Sequence, residues 1–557
     1  MLHHTASATN DTRRDWASDR TDKTNRLQDA NSYTDGKIIP TENIVDVLHA
    51  VLHPGDRVAL EGNNQKQADF LSRSLAKVDP ERIHDLHMLF SSISRPEHLD
   101  IFEDGIAKRV DFAFSGPQSS RVAQLIDDGT LEVGAIHTYL ELYSRMFLDL
   151  APKVALVAAV SADRDGNLYT GPNTEDTPAI TEATAFRSGI VVAQVNEIVD
   201  RVPRVDVPGD WVDFIVEADT PFEVEPLFTR DPRKLTDVHV LLAMLTIRGV
   251  YERHEVTSLN HGVGLDTAAI ELLLPTYGEQ LGLKGKICTH WALNPHPNLI
   301  PAIESGWVER ISAFGGEVGM SRYVAARPDI FATGPDGSLR SNRMAAQSAG
   351  LYATDMFVGS TLQVDPLGNS STVTSGRLAG FGGAPNLGAD SRGRRHSTPA
   401  WFDLSEGRGN LGVERGRKLV VQIAETFNAG AEPKFVEQLD AVAVGQSGGM
   451  PLAPVMVYGD DLTHLVSEEG VGYLYKAQSL DERRRAVAAL AGVTPLGQQS
   501  TPEDVDELRR AGIIALPEDL GVHRAQANRG LLAAHSIEDL VEWSGGLYDP
   551  PAKFRSW

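Results

Sequence analysis

Ser375-Gly376-Arg377-Leu378-Ala379-Gly380-Phe381-Gly382-Gly383-Ala384-Pro385-Asn386-Leu387-Gly388, entered through Val364-Asp365-Pro366-Leu367-Gly368-Asn369, is the stretch on which the reading of this chain turns. Clustered glycines after a turn let backbone N–H groups converge on one point, a shape suited to a phosphate or a developing oxyanion. No Gly-Lys-Ser/Thr follows, so this is not a P-loop, and the spacing is not that of the dinucleotide fingerprint, which opens a helix after a strand. Alone, such a cluster is more often a tight loop than an active site. The turn before it decides the fold, because Asp365-x-x-Gly368-Asn369 has an earlier copy at Asp163-x-x-Gly166-Asn167.

Four features recur in one order at an offset of about 200 residues, as a repeat search finds by counting. Gly62 matches Gly262, and Glu103-Asp104-Gly105 matches Glu304-Ser305-Gly306. Ala113-Phe114-Ser115-Gly116 matches Ala313-Phe314-Gly315-Gly316, and the Asp163 turn matches the Asp365 turn. Each match is weak alone, but four in register point to a duplication. In the first copy a helix is expected over 41–52, where Ile44, Val47, Leu48 and Val51 share a face. The apolar run Arg57-Val58-Ala59-Leu60-Glu61 then enters the polar Gly62-Asn63-Asn64-Gln65, and a helical run over 68–76 follows. Strands are expected over 110–114, 153–160 and 189–195. Strand, polar loop and helix in alternation predict a mostly parallel α/β sheet with ligands at the carboxyl ends of its strands. The expected fold is therefore α/β, with two tandem open sheets, helices on both faces of each, a cleft between them and a C-terminal helical tail.

The expected boundaries are a polar arm at 1–36, a first domain at 37–235, a second at 236–478 and the tail at 479–557. The arm shows no periodicity that buries a face. In the second domain, runs at 418–424, 441–444 and 455–458 read as its final strands. In the tail, Pro495 and Pro502 separate short helices and Ser536 opens another. The tail reads as a packing or docking element without chemistry of its own.

Acidic residues outnumber basic ones by 76 to 52, which argues against nucleic acid and anionic membranes as partners. The single cysteine, Cys288, can form neither an internal disulfide nor a cysteine zinc site, as suits a reducing compartment. No run approaches the roughly 18 apolar residues of a spanning helix, and the N-terminus has no signal-peptide core, so a cytoplasmic location is expected. His254, His261, His290 and His296 fit no metal-ligand spacing, and no metal is expected. His261 reads as structural or as an anion contact. The basic Arg392-Gly393-Arg394-Arg395-His396 reads as a solvated loop or as a holder of phosphates.

Gly380-Phe381-Gly382-Gly383-Ala384-Pro385-Asn386-Leu387 and the preceding Leu362-Gln363-Val364-Asp365-Pro366-Leu367-Gly368-Asn369 resemble the second-half motif of coenzyme A transferases, whose two halves share a duplicated α/β fold. Three further stretches resemble the alpha subunits of malonate decarboxylases: Leu60-Glu61-Gly62-Asn63-Asn64-Gln65-Lys66-Gln67-Ala68-Asp69-Phe70-Leu71, Asp163-Arg164-Asp165-Gly166-Asn167-Leu168-Tyr169-Thr170-Gly171-Pro172 and Leu516-Pro517-Glu518-Asp519-Leu520-Gly521. This likeness runs from about residue 37 to the C-terminus. It implies a transferase that exchanges acetate for malonate on an acyl carrier protein, turning acetyl-S-carrier and malonate into malonyl-S-carrier and acetate. It also implies partner subunits: a carrier bearing the thioester on a coenzyme-A-derived phosphopantetheine group, and a carboxy-lyase pair. No cofactor is expected on this chain itself. The alternatives are a transferase acting on free coenzyme A and a non-catalytic scaffold of the decarboxylase complex.

Coenzyme A transferases that form a glutamyl thioester carry the nucleophile in a Ser-Glu-Asn-Gly turn of the second half. The matching turn here is Ser312-Ala313-Phe314-Gly315-Gly316, which has no carboxylate, and the nearest is Glu317. By resemblance to the citrate lyase alpha subunit, direct attack of a substrate carboxylate on the thioester is expected, giving a mixed anhydride. That route needs proximity and an oxyanion hole. The candidate catalytic residues are Gly382 and Gly383, through their N–H groups, and Glu317, expected to orient a loop or substrate without being acylated. Asn63, Asn64 and Asn260 are candidates to orient carboxylates, and Gly262, Gly264 and Asn386 to contact the thioester.

Overall fold

Long runs of valine and alanine such as Val154–Asp163 are buried along almost their whole length, as strands covered on both faces by helices must be. In the computed structural model, which describes residues 16–555 apart from 64, 223, 314, 336, 338, 340–342 and 390–417, such runs build two sheets. The first runs, edge to edge, Glu132–Ile136, Ala107–Phe114, Leu86–Ser92, Arg57–Leu60, Val154–Asp163, Ile190–Val199, Phe214–Glu217 and Ile38–Ile39, all parallel. The second runs Arg310–Ser312, His290–Ala292, Ser258–His261, Met356–Ser360, Leu419–Ile423 and His464–Ser467 in parallel. It ends in the antiparallel Gly470–Tyr473 and Ile514–Ala515. With Gly62 set on Gly262, six strands of the first sheet fall on six of the second in the same spatial order. The duplication read from four short matches is thus present in the topology.

The repeated turns explain why their residues recur. Asp163 Oδ1 accepts the N–H groups of Asp165 at 3.1 Å and Asn167 at 3.0 Å, and Asp365 Oδ1 accepts those of Leu367 at 2.9 Å and Asn369 at 3.0 Å. Asn167 Oδ1 then accepts the N–H of Gly209 at 2.9 Å, while Asn369 Oδ1 accepts that of Gly459 at 2.8 Å. A side chain at Gly209 or Gly459 would overlap the carbonyl of Asp165 or Leu367. Each turn therefore ties the end of a strand to a distant segment of its own half, and Gly166 and Gly368 supply the positive φ that closes it.

Three expectations are corrected. Residues 16–30 of the supposed arm form the helix Trp16–Ala30. It lacks an apolar stripe because ion pairs dock it: buried Arg26 pairs with Asp56, Lys23 with Asp213 at 2.9 Å and Asp19 with Lys153 at 2.7 Å. The run at 441–444 belongs to the helix Asp440–Ser447, since a short apolar run has no period long enough to separate strand from helix. The run at 455–458 makes a single bridge, Val457 to Ser370, the counterpart of Val207 to Leu168 in the first half. The tail does hold the helices Leu480–Ala489, Pro502–Arg510 and Ile537–Trp543, capped by Ser479, Thr501 and Ser536. It also supplies the last strand of the second sheet, and Ile537 and Leu540 belong to that domain's hydrophobic core.

Replacing Asp365 by Ala removes the acceptor for two turn amides and for the Asn369 amide. A loss of about 1–3 kcal/mol is expected in denaturant unfolding. An unchanged midpoint would show that the turn does not stabilise the second half.

Candidate active site

The two halves meet through a buried cation. Arg343 opens the helix Arg343–Ala353 of the second half, and its guanidinium reaches into the first half to pair with Glu175 and, at 2.9 Å, with Asp176. Its flat face lies over the Tyr139 ring, 4.8 Å from the centroid. All four residues are buried. Asp176 also accepts the Asn63 amide at 3.0 Å. Glu175 sits at φ +47°, and its Oε1 has no hydrogen-bond partner among the described residues. Burial pushes the Glu175 carboxyl up to about 7; Arg343 pulls against that and neighbouring Asp176 adds to it.

Beside this pair, Gln65 bridges the halves. Its Nε2 donates to the Gly316 carbonyl and, at 3.1 Å, to Glu317, while its Oε1 accepts from Asn294 at 2.9 Å. Glu317 accepts the N–H and hydroxyl of Thr229 at 2.9 and 2.8 Å, the N–H of Phe228 at 3.1 Å and that of Leu227 at 3.3 Å. Burial pushes its pKa up, and the bonds from Thr229 oppose that push. Below lies a relay in which Glu271 joins His261 at 2.8 Å and His296 at 2.7 Å. His296 contacts the Asn294 carbonyl through its other nitrogen at 2.8 Å, so both ring nitrogens must carry protons. A cavity of about 480 Å³ opens at this seam, with Gln65, Asn173 and Phe222 on one side and Gly316, Glu317 and Met320 on the other.

The structure connects Asn63, Glu317 and Gly382 into this network but changes what they do. Asn63 is engaged by the protein itself, its Oδ1 accepting the N–H groups of Gln65 at 2.8 Å and Lys66 at 3.0 Å and its Nδ2 donating to Asp176, so it shapes the loop and orients a carboxylate of the chain. Asn64 lies outside the described residues, as does the tract 392–396. Gly382, at φ +58°, donates its N–H to the Ala113 carbonyl at 2.9 Å and accepts from Tyr139 at 3.1 Å. Its N–H is therefore not an oxyanion donor. Gly383 is pressed against the Gln347 amide and keeps an N–H without a partner among the described residues. Asn386, on the short helix Ala384–Leu387, has a buried Oδ1 likewise unpartnered.

Gly262 and Gly264 are structural in this geometry, while Asn260 keeps a buried Oδ1 without a partner among the described residues. Asn260 donates to the Ala292 carbonyl, Gly262 donates to that of Val358 at 2.6 Å, and side chains at Gly262 or Gly264 would press on Gly359 or Ser360. His261 is spent on Glu271 and, at 2.6 Å, on the Tyr251 hydroxyl, which leaves no nitrogen for an anion. Among the described residues no group of three or more His, Cys, Asp or Glu is arranged to hold a metal. Gln65, Tyr139, Glu175, Asp176, Asn294 and Arg343 went unread as site residues. Gln65 and Asn294 lay within polar loops next to the signals used, whereas a lone arginine at a helix start carries no signal.

Two tandem, mostly parallel sheets meeting at a polar, carboxylate-rich seam give a coenzyme A transferase-like fold. A citrate lyase alpha subunit from Streptococcus mutans shares the fold, with a TM-score of 0.57 at 15% identity over 93% of this chain and 87% of that one. The chain belongs to the malonate decarboxylase alpha-subunit family: the family model described as malonate decarboxylase, alpha subunit, transporter, matches residues 15–557. It is similar to the acetyl-S-ACP:malonate ACP transferase of Malonomonas rubra, 56% identical over 97% of this chain and 99% of that protein. It is also similar to a chain of a Pseudomonas malonate decarboxylase hetero-tetramer solved with malonate, with a TM-score of 0.94 and 64% identity over 97% of this chain and 99% of that one. Among the described residues no helix is long and apolar enough to cross a membrane.

Glu317→Gln turns one acceptor oxygen into a donor facing donors. The expected variant is folded, less stable by about 1–3 kcal/mol in thermal unfolding, and still able to exchange acyl groups. Complete loss of exchange at unchanged stability would identify Glu317 as the acyl acceptor. Arg343→Met strands two buried carboxylates and is expected to cost about 3–5 kcal/mol in urea unfolding. A cost below about 1 kcal/mol would mean that water reaches the pair.

Proposed function

We propose that this chain is the transferase subunit of a malonate decarboxylase and exchanges acetate for malonate on the thioester of an acyl carrier protein. The observation that carries this reading is the near-full-length likeness to the Malonomonas rubra transferase, joined to a seam of the matching fold. The cavity takes the acyl end of the carrier's phosphopantetheine arm, apolar side chains such as Phe222 and Met320 flanking it and Gln65 and Asn173 supplying polar contacts. The carrier and a carboxy-lyase pair are its partners in the cytoplasm, and the chain holds no cofactor of its own.

The exchange proceeds by direct attack. A malonate oxygen attacks the acetyl carbonyl, the C–S bond breaks, and the products are a mixed anhydride and the released carrier sulfur. That sulfur then attacks the malonyl carbonyl, and acetate leaves with the bridging oxygen. Glu317 does not compete as nucleophile, since both of its oxygens are occupied. The Gly383 N–H stabilises the oxyanion, and proximity within the closed seam supplies much of the rate.

Two measurements test this. The purified chain, given the carrier acetyl thioester and malonate, should release acetate and form the malonyl thioester; no exchange would leave a scaffold. With malonate labelled by oxygen-18, acetate from the first turnover should carry label, and borohydride with acetyl thioester should not inactivate the enzyme. Unlabelled first-turnover acetate together with borohydride inactivation would require a protein carboxylate as acyl carrier.

A further inference from the structure

Most carboxylates near the seam are fully spoken for. Glu317 accepts five hydrogen bonds and Glu271 is held by two histidines, while Asp176 accepts from Asn63 through Oδ2 and has its otherwise unbonded Oδ1 ion-paired to the Arg343 guanidinium at 2.9 Å. Glu61 accepts from the Ala158 N–H at 2.8 Å and the Thr177 hydroxyl at 2.7 Å. Glu175 differs. One of its oxygens is bound by Arg343, while Oε1 is buried and unpartnered among the described residues. That oxygen occupies the space where a side chain of Gly315 would be, so even a methyl group at 315 would overlap it. Gly315 lies in the turn that carries a carboxylate in the transferases with a glutamyl intermediate. Here the first half delivers a carboxylate to that turn from the opposite side. Gly316 and Gln65, immediately adjacent, line the cavity.

Resting on the exchange reaction proposed above, we propose that Glu175 is its proton carrier. Its free oxygen gives a proton to the carrier sulfur as the acetyl C–S bond breaks, leaving a carboxylate, a thiol and the mixed anhydride. The carboxylate then takes the proton back as the sulfur attacks the malonyl carbonyl and acetate departs. Charge and protons balance over the turnover, and no co-reactant is needed. An alkyl thiolate is a poor leaving group in a water-poor seam, and a positioned acid lowers that barrier. Arg343, Asp176, Lys66 and Tyr139 are the charged or titratable groups that face Glu175. Their balance against burial leaves it near neutrality, where it can both give and take a proton. The positive φ of Glu175 is the backbone strain that aims the side chain at the turn.

The test uses the full chain with the acetyl thioester of its carrier and malonate. The wild-type rate at saturating substrate should fall as pH rises through about 7, because the acid form starts each turnover. Glu175→Gln, nearly the same shape, should fold, lose about 10²–10⁴-fold in kcat and lose that pH limb. Glu175→Asp should recover part of the rate and keep the limb. A wild-type rate that is flat between pH 5.5 and 8.5, on the order of three units around neutrality, overturns the assignment without reference to any variant. So does a Glu175→Gln enzyme with the wild-type rate, or with a residual rate that keeps the limb. Borohydride trapping of acyl on Glu175 would make it the acyl acceptor and also overturn the proton role. Absence of exchange by the wild type would instead count against the transferase reading.

Discussion

The buried contact of Arg343 with Glu175 and Asp176 is the constraint from which the seam follows. One cation against two carboxylates in a dry environment is tolerable only with further donors and a close ring, and Asn63 and Tyr139 provide them. Those partners fix the loop after Arg57–Leu60 and the start of the helix Tyr139–Leu148, and Tyr139 in turn donates to the carbonyl of Gly382. The glycine stretch is thereby pinned to the first half although it belongs to the second. Removal of the cation would therefore disturb both lobes at once.

Glu317 and the Glu271 relay show how the same seam separates structure from chemistry. Each of these carboxylates is saturated by donors that a nucleophile or a base would need to shed. Glu317 joins the segment Leu227–Thr229 to the second half, and Glu271 holds a protonated His296 beneath Asn294. The polar density that looks catalytic from a distance is mostly scaffolding, and selectivity of role comes from which oxygen is left without a donor.

Much of the fold was legible because duplication repeats signals. The Asp163 and Asp365 turns recur since each must clamp a glycine amide across its own half, and Gly62 and Gly262 recur at equivalent strand ends. Edges were less legible. The helix Trp16–Ala30 carries no apolar stripe, and the run at 441–444 was too short to show its period. The site was legible only as a region. Gly382 and Asn63 were read as substrate donors, but sequence does not reveal where an N–H or amide already points: the Gly382 N–H is spent on Ala113, and the Asn63 amide donates to Asp176. Arg343 and Glu175 are 168 positions apart and meet only through the packing of two lobes, so no spacing rule could have paired them.

That separation has a consequence during synthesis. Every strand of the first sheet lies between Ile38 and Glu217, so the lobe can assemble on the ribosome before Arg343 exists. Until then Lys66 is the cation that acts on Glu175 and Asp176, and two uncompensated carboxylates are costly to bury. The second lobe brings the guanidinium that pairs with both acids, so the first lobe taken alone has two carboxylates short of a counter-charge.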